Sequence, residues 1–156
     1  MKIIDTSEAP DLVRAARADA GLTQQALAHA VGLRQSNIAG IESGARPVSR
    51  DLLQRILEAA DYRPTLSLQK HRDALRHLGA EFGIINIRVF GSVARGDDHH
   101  ASDVDLLVDL EPSAVPFRIG TFKGESEELL GFDVDVVVDG GSARGLEHIR
   151  QTAVAV

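Results

Sequence analysis

Two short stretches of this chain combine residue types that could do chemistry. Gly91-Ser92 stands where an apolar, β-branched run, Ile84 to Phe90, gives way to a turn. Asp103 and Asp105 stand two apart at the start of a second apolar run, Val104 to Leu110. In a strand, residues two apart project from one face, so these two carboxylates point together. Like charges that close repel unless solvent or a cation compensates them. Two carboxylates aimed at one spot are hard oxygen ligands, suited to a magnesium ion that bridges nucleotide phosphates. Gly91 lets the backbone approach a phosphate closely. Ser92 offers a hydroxyl and, if it opens a helix, exposed amide groups for an anion. Together they predict a phosphoryl- or nucleotidyl-transfer site.

The elements that must position these residues are legible around them. A helix is predicted from about Gln69 to Phe82, then the strand 84–90, the metal-binding strand 104–110, and a third strand over Phe132-Asp133-Val134-Asp135-Val136-Val137-Val138. Asp133 and Asp135 share a face of that strand, and periodicity does not choose between them. Asp97, Asp98, His99 and His100 resemble a metal cluster, but their place between the two motif halves predicts a solvated loop. His71, His77 and His148 lack ligand spacing and read as surface or packing residues. Glu125, Glu127 and Glu128 read as a solvated helix face.

The first half has a different pattern. Ser7 or Ala9 begins a helix that Gly21 ends, with Pro10 tolerated in its first turn. Thr23 caps a second helix, which Gly32 breaks. A third runs roughly from Arg34 to Glu42, and Ser49 caps a fourth. Tyr62-Arg63-Pro64-Thr65-Leu66-Ser67 separates the halves, and Pro64 disfavours helix at Arg63. The expected domains are 1–63 and 69–156. The expected fold class is α+β, an all-α helix-turn-helix bundle followed by a small α/β domain with a mixed sheet.

Composition narrows the function classes. The chain has 156 residues, 44% hydrophobic and 26% charged, as in ordinary globular proteins. It has no cysteine, which excludes disulfides, cysteine zinc sites and thiol nucleophiles. No apolar run is long enough to cross a membrane, and residues 1–20 lack the apolar core of a secretion signal, so a cytoplasmic setting without membrane association is expected. Residues 1–66 carry 8 Lys/Arg against 8 Asp/Glu; residues 67–156 carry 9 against 15, which accounts for the whole net charge of −6. A neutral half can bind DNA if its arginines share a face, whereas an acidic half is a poor surface for DNA.

The stretch from Gly21 to Ala60 resembles the lambda-repressor-like (Xre-type) helix-turn-helix family. It carries Leu22-Thr23-Gln24, Gly32, Gln35-Ser36 and Ile41-Glu42-Ser43-Gly44 at that family's positions. A recognition helix presents its N-terminal residues to base edges, which here are Gln35, Ser36 and Asn37. Gln24, Arg34, Arg46 and Arg50 are candidates for phosphate contacts.

The second half, about residues 70–156, resembles the minimal nucleotidyltransferases of the DNA polymerase beta superfamily. The pattern G-S-x-A-R-G, then S-D-x-D-L, matches at Gly91, Ser92, Ala94, Arg95, Gly96, Ser102, Asp103, Asp105 and Leu106. The superfamily's third carboxylate lies on a later strand, and its Val-Asp-aliphatic-Val pattern matches at Asp135. The resemblance implies that Asp103, Asp105 and Asp135 ligate Mg2+, and that Gly91 and Ser92 hold the triphosphate. It also allows Arg95 to add charge to that grip. Arg95 reads equally as a surface arginine paired with an acidic neighbour.

Small members of this family are often antitoxins encoded beside a HEPN-domain RNase toxin. The resemblance therefore implies transfer of AMP from ATP to a toxin tyrosine, repression of the operon through operator DNA, and a homo- or hetero-oligomer. Two other readings stand beside it. One is a repressor and antitoxin that acts by binding alone. The other is a small-molecule nucleotidyltransferase, which usually needs a further helical domain to build the acceptor pocket.

Overall fold

The computed structural model describes residues 5–112, 118–140 and 146–156. After a single helical turn, Thr6–Glu8, four helices follow: α1 (Ala9–Asp19), α2 (Gln24–Ala30), α3 (Gln35–Glu42) and α4 (Arg50–Ala59). Their ends are set locally. The Thr23 hydroxyl accepts the Ala26 N–H and the Ser49 hydroxyl accepts the Leu52 N–H, so each satisfies an otherwise orphaned donor. Gly21, Gly32 and Gly44 take the left-handed conformation that reverses the chain after α1, α2 and α3. Leu12, Val13, Ala16, Leu27, Ile38, Ile41, Leu53, Ile56 and Leu57 fill the interior of the bundle.

The second half begins with α5 (Pro64–Glu81) and continues with β1 (Ile84–Phe90), α6 (Gly91–Arg95), β2 (Val104–Leu110), α7 (Ile119–Leu130), β3 (Val134–Val138), α8 (Leu146–Thr152) and β4 (Val154–Ala155). The sheet order is β3-β2-β1-β4. β1 runs antiparallel to β2 and β4, while β2 and β3 are parallel. Parallel neighbours need a crossover, and α7 supplies it. The architecture is thus α+β, a helical bundle followed by a mixed four-stranded sheet with helices.

The segment expected to separate the halves is mostly helix. α5 starts at Pro64, five residues before the predicted start, with Arg63 extended just ahead of it. Proline suits the first helical position, because its missing N–H is an orphan there in any case. Tyr62, the chain's sole tyrosine, is buried and stacks on Phe132 with ring centres 5.8 Å apart. The Ser67 hydroxyl donates to the Leu130 carbonyl at 2.6 Å. The buried core runs without interruption from the bundle through Tyr62 into the sheet.

Candidate active site and nucleic-acid interface

β1 ends at Phe90, and Gly91 turns the chain into α6 with φ at +68°, a left-handed conformation that favours glycine. Gly91 is needed for a second reason. A Cβ built there would collide with a carboxylate oxygen of Asp105. β1 and β2 pair Phe90 with Asp105, which brings the Gly-Ser turn and this carboxylate together. Ser92 is half-buried in the same turn.

The parallel register pairs Asp105 with Asp135 and Val104 with Val134. Asp135 therefore lies on the strand beside Asp105, and Asp103, just before β2, is near enough for its charge to act on Asp105. Asp133 precedes β3, and its carbonyl accepts the Val104 N–H at 2.9 Å. The carboxyl of Asp105 is held above the ordinary aspartate range. Partial burial is the main cause, followed by the charges of Asp103 and Asp135, with Arg95 acting in the opposite direction.

Two basic residues border the carboxylates. Lys123, on α7, places Nζ 2.9 Å from Oδ1 of Asp135. Nothing in the spacing of the sequence ties this lysine to a strand twelve residues later. Arg95 is exposed, and its Nε lies 3.1 Å from Asp97. Farther along the same sheet face, Arg88 donates to Asp109 and Asp139, and Arg150 donates to Asp139. The last contact ties α8 to the end of β3.

Two expectations of solvation are corrected. Asp98 has a fully buried side chain, because Arg63 and Thr65 donate to it across the join. Glu127 is largely covered, and its Oε1 accepts the Val134 N–H at the start of β3. Both carboxylates meet backbone or side-chain donors brought in by tertiary packing, which removes them from water.

The chemistry of the donor set fits a divalent cation, with Asp105 and Asp135 in register, the charge of Asp103 close by, and Asp105 destabilised as an anion. In the arrangement described, Lys123 partly neutralises Asp135. Among the described residues, no three His, Asp or Glu side chains converge closely enough to enclose an ion.

On the helical half, Arg34, Gln35, Ser36 and Arg46 are exposed, Asn37 is half-buried, and Arg50 is exposed at the start of α4. Gln24 is partly withdrawn from solvent. Its Oε1 accepts Gln35 Nε2 at 2.7 Å, and its Nε2 donates to Glu42 at 2.8 Å. Arg17 forms a fork on Glu42 at 2.6 and 3.1 Å. Burial pushes the Glu42 carboxyl up, but hydrogen bonds from Arg17 and Gln24 and the charges of Arg17 and Arg14 outweigh it, leaving the carboxyl below its ordinary value. This chain from Arg17 to Gln35 fixes the angle between α2 and α3 and orients the first side chain of α3.

Fold and site together define a nucleotidyltransferase carrying a helix-turn-helix domain. The nucleotidyltransferase domain family matches residues 68–141, and a helix-turn-helix family matches residues 13–66. Protein adenylyltransferase MntA of Thermococcus cleftensis is 37% identical over 79 residues, covering 51% of this chain and 77% of that protein. A Methanocaldococcus jannaschii protein provisionally named a protein adenylyltransferase is 30% identical over 73 residues, 47% of this chain and 71% of the relative. A solved structure described as a minimal nucleotidyltransferase superposes with a TM-score of 0.51 at 36% identity, covering 59% of this chain and 93% of that one. The chain belongs to the minimal nucleotidyltransferases of the MntA type. No helix among the described residues is long and apolar enough to cross a membrane.

Proposed function

We propose that this chain is an antitoxin that transfers AMP from ATP to a tyrosine of a HEPN-family toxin, with Mg2+, and represses its own operon through the helix-turn-helix domain. The observation that carries the catalytic part is the packing of Gly91 against Asp105, with Asp135 in register beside it. The names of the relatives support protein adenylylation, and the helix-turn-helix match supports an operator duty.

In this reading Asp103, Asp105 and Asp135 would hold the cation, which would supply positive charge to the triphosphate and the departing pyrophosphate. Gly91 leaves room for the phosphates, and the Ser92 hydroxyl donates to them. The acceptor oxygen bonds to the α-phosphorus, the bond from that phosphorus to the bridging oxygen breaks, and pyrophosphate leaves. The hydroxyl proton passes to a carboxylate, for which Asp135 is the candidate. Gln35, Ser36 and Asn37 face base edges, and Gln24, Arg34 and Arg46 face phosphates. Two copies on an operator would double those contacts.

Lys123 on Asp135 favours one second reading, an antitoxin that blocks its partner by binding alone. One experiment separates the two: the protein, Mg2+, labelled ATP and the neighbouring gene product, with Asp103→Ala/Asp105→Ala as control. Label on the partner that the double variant cannot place supports transfer. No label, with both versions still binding and inhibiting the partner, supports binding alone.

A further inference from the structure

The loop from Asp97 to Ser102 joins the Gly-Ser turn to Asp103, and the helical half, together with the first turn of α5, grips it at two points. At the first, Oδ2 of Asp98 accepts the Thr65 N–H at 2.8 Å, while Oδ1 accepts the Thr65 hydroxyl at 2.8 Å and Arg63 Nη1 at 3.2 Å. Arg63 also donates Nε and Nη2 to Asp19, the last residue of α1, at 2.8 and 3.0 Å. α5 has no capping side chain of its own at Arg63. Asp98, 33 residues further on, accepts a first-turn N–H that would otherwise be buried without a partner. At the second point, the His100 N–H donates to Asp61 Oδ1 at 2.8 Å, and the His100 ring lies 3.3 Å from Asp61 and 3.7 Å from Glu58 of α4.

Between these ties and the catalytic strand the loop is closed on itself. The His99 N–H donates to the Ser102 hydroxyl at 3.1 Å, and the Ser102 N–H donates to the His99 carbonyl at 2.9 Å. A turn pinned at Asp98 and His100 and closed at Ser102 leaves Asp103, the next residue, little freedom.

We propose that Asp98 and Arg63 are positioning residues of the nucleotidyl-transfer site. They hold the loop so that Asp103 stands in line with Asp105, which makes the helix-turn-helix domain part of the catalytic framework. This inference rests on the transfer reading above. Its physical basis is the steep dependence of rate on placement, where an error of about 1 Å costs roughly 100-fold.

The test uses the full chain with Asp98→Asn, Arg63→Ala and the double variant, each checked for folding by circular dichroism. Four quantities are read: kcat and KM for ATP in label transfer, amide exchange over residues 97–106, and Mn2+ affinity in the presence of α,β-methylene-ATP. In Asp98→Asn, kcat is expected to fall about tenfold or more with KM for ATP within about twofold, because the error lies in alignment rather than in nucleotide capture. Loop exchange is expected to speed up and Mn2+ to bind several-fold more weakly. The double variant loses no more than the worse single one, as for two ends of one contact. Arg63→Ala, on the more exposed side of the contact, carries the test if Asp98→Asn does not fold. Folded variants with wild-type kcat and Mn2+ affinity would overturn the proposal, even with a faster-exchanging loop. A wild-type chain that places no label overturns the transfer reading instead. The Mn2+ titration then decides: weaker binding in Asp98→Asn upholds the positioning role, and unchanged binding, or none in the wild type, ends it.

Discussion

The carboxylate of Asp105 rests against the α-carbon of Gly91, in the space a side chain would fill. The turn and the strand that carries Asp105 are thus fitted to each other through one missing methyl group. Gly91→Ala meets two penalties, the left-handed φ, roughly 1–2 kcal/mol for a residue with a Cβ, and displacement of Asp105. Transfer activity is expected to fall by about 100-fold for a shift near 1 Å. A melting scan should show a loss of a few degrees, on a scale of about 2–4 °C per kcal/mol for chains of this size. Wild-type activity in Gly91→Ala would mean that Asp105 can work from another position.

Asp105 also opposes folding. Its carboxyl is raised above the ordinary aspartate value, by burial first and then by Asp103 and Asp135. The folded state therefore binds the proton more tightly than the unfolded chain. The associated stability is fully present below the unfolded value and is lost as pH rises through the folded one. Asp105→Asn should consequently melt higher than the wild type at neutral pH in EDTA, with the gap closing as the pH is lowered. Added Mg2+ and nucleotide should raise only the wild type, by binding its folded state. A variant that melts lower in EDTA at neutral pH would contradict the repulsion.

In the proposed reading, Lys123 and a bound cation would compete for Asp135. The Lys123–Asp135 pair is largely exposed, and such pairs contribute about 0.2–1 kcal/mol. Lys123→Gln is expected to raise Mn2+ affinity by up to about fivefold, the equivalent of the upper end of that range. Weaker Mn2+ binding in the variant would instead assign Lys123 to the support of the bound phosphates.

In the proposed reading, the helical half separates base reading from anchoring. Gln35→Ala should relax preference at one operator base pair by about 1–3 kcal/mol. Arg34→Ala should weaken binding to all sequences alike and lower the salt slope by about one. Binding curves across a salt series on operator and scrambled DNA distinguish the two outcomes. Gln24→Ala should reproduce part of the Gln35 effect beyond the loss of its own phosphate contact, because Gln24 Oε1 holds the Gln35 amide.

What could be read from the sequence follows the reach of the signals. Thr23 and Ser49 act on N–H groups three residues away, so a helix start is visible in a short window. Asp103 and Asp105 share a face through the period-2 geometry of a strand, and the glycine and serine before them stand close in the chain. Asp98 gave no such signal: its partners, Arg63 and Thr65, lie 35 and 33 residues back, and in the sequence it is one of four polar residues in a row. The early start of α5 has the same cause, since a remote carboxylate caps it. Glu127 looked like an ordinary charge on a helix face, and Lys123 carried no signal at all, because nothing local records that α7 lies against β3.

Tyr62, sealed against Phe132, is the chain's sole phenol, and its burial pushes its pKa up to about 12. If the proposed transfer to a tyrosine holds, the enzyme itself would be the phenol-bearing chain nearest to its own site. Its single phenol is sealed in the core, so in that reading the acceptor is another molecule.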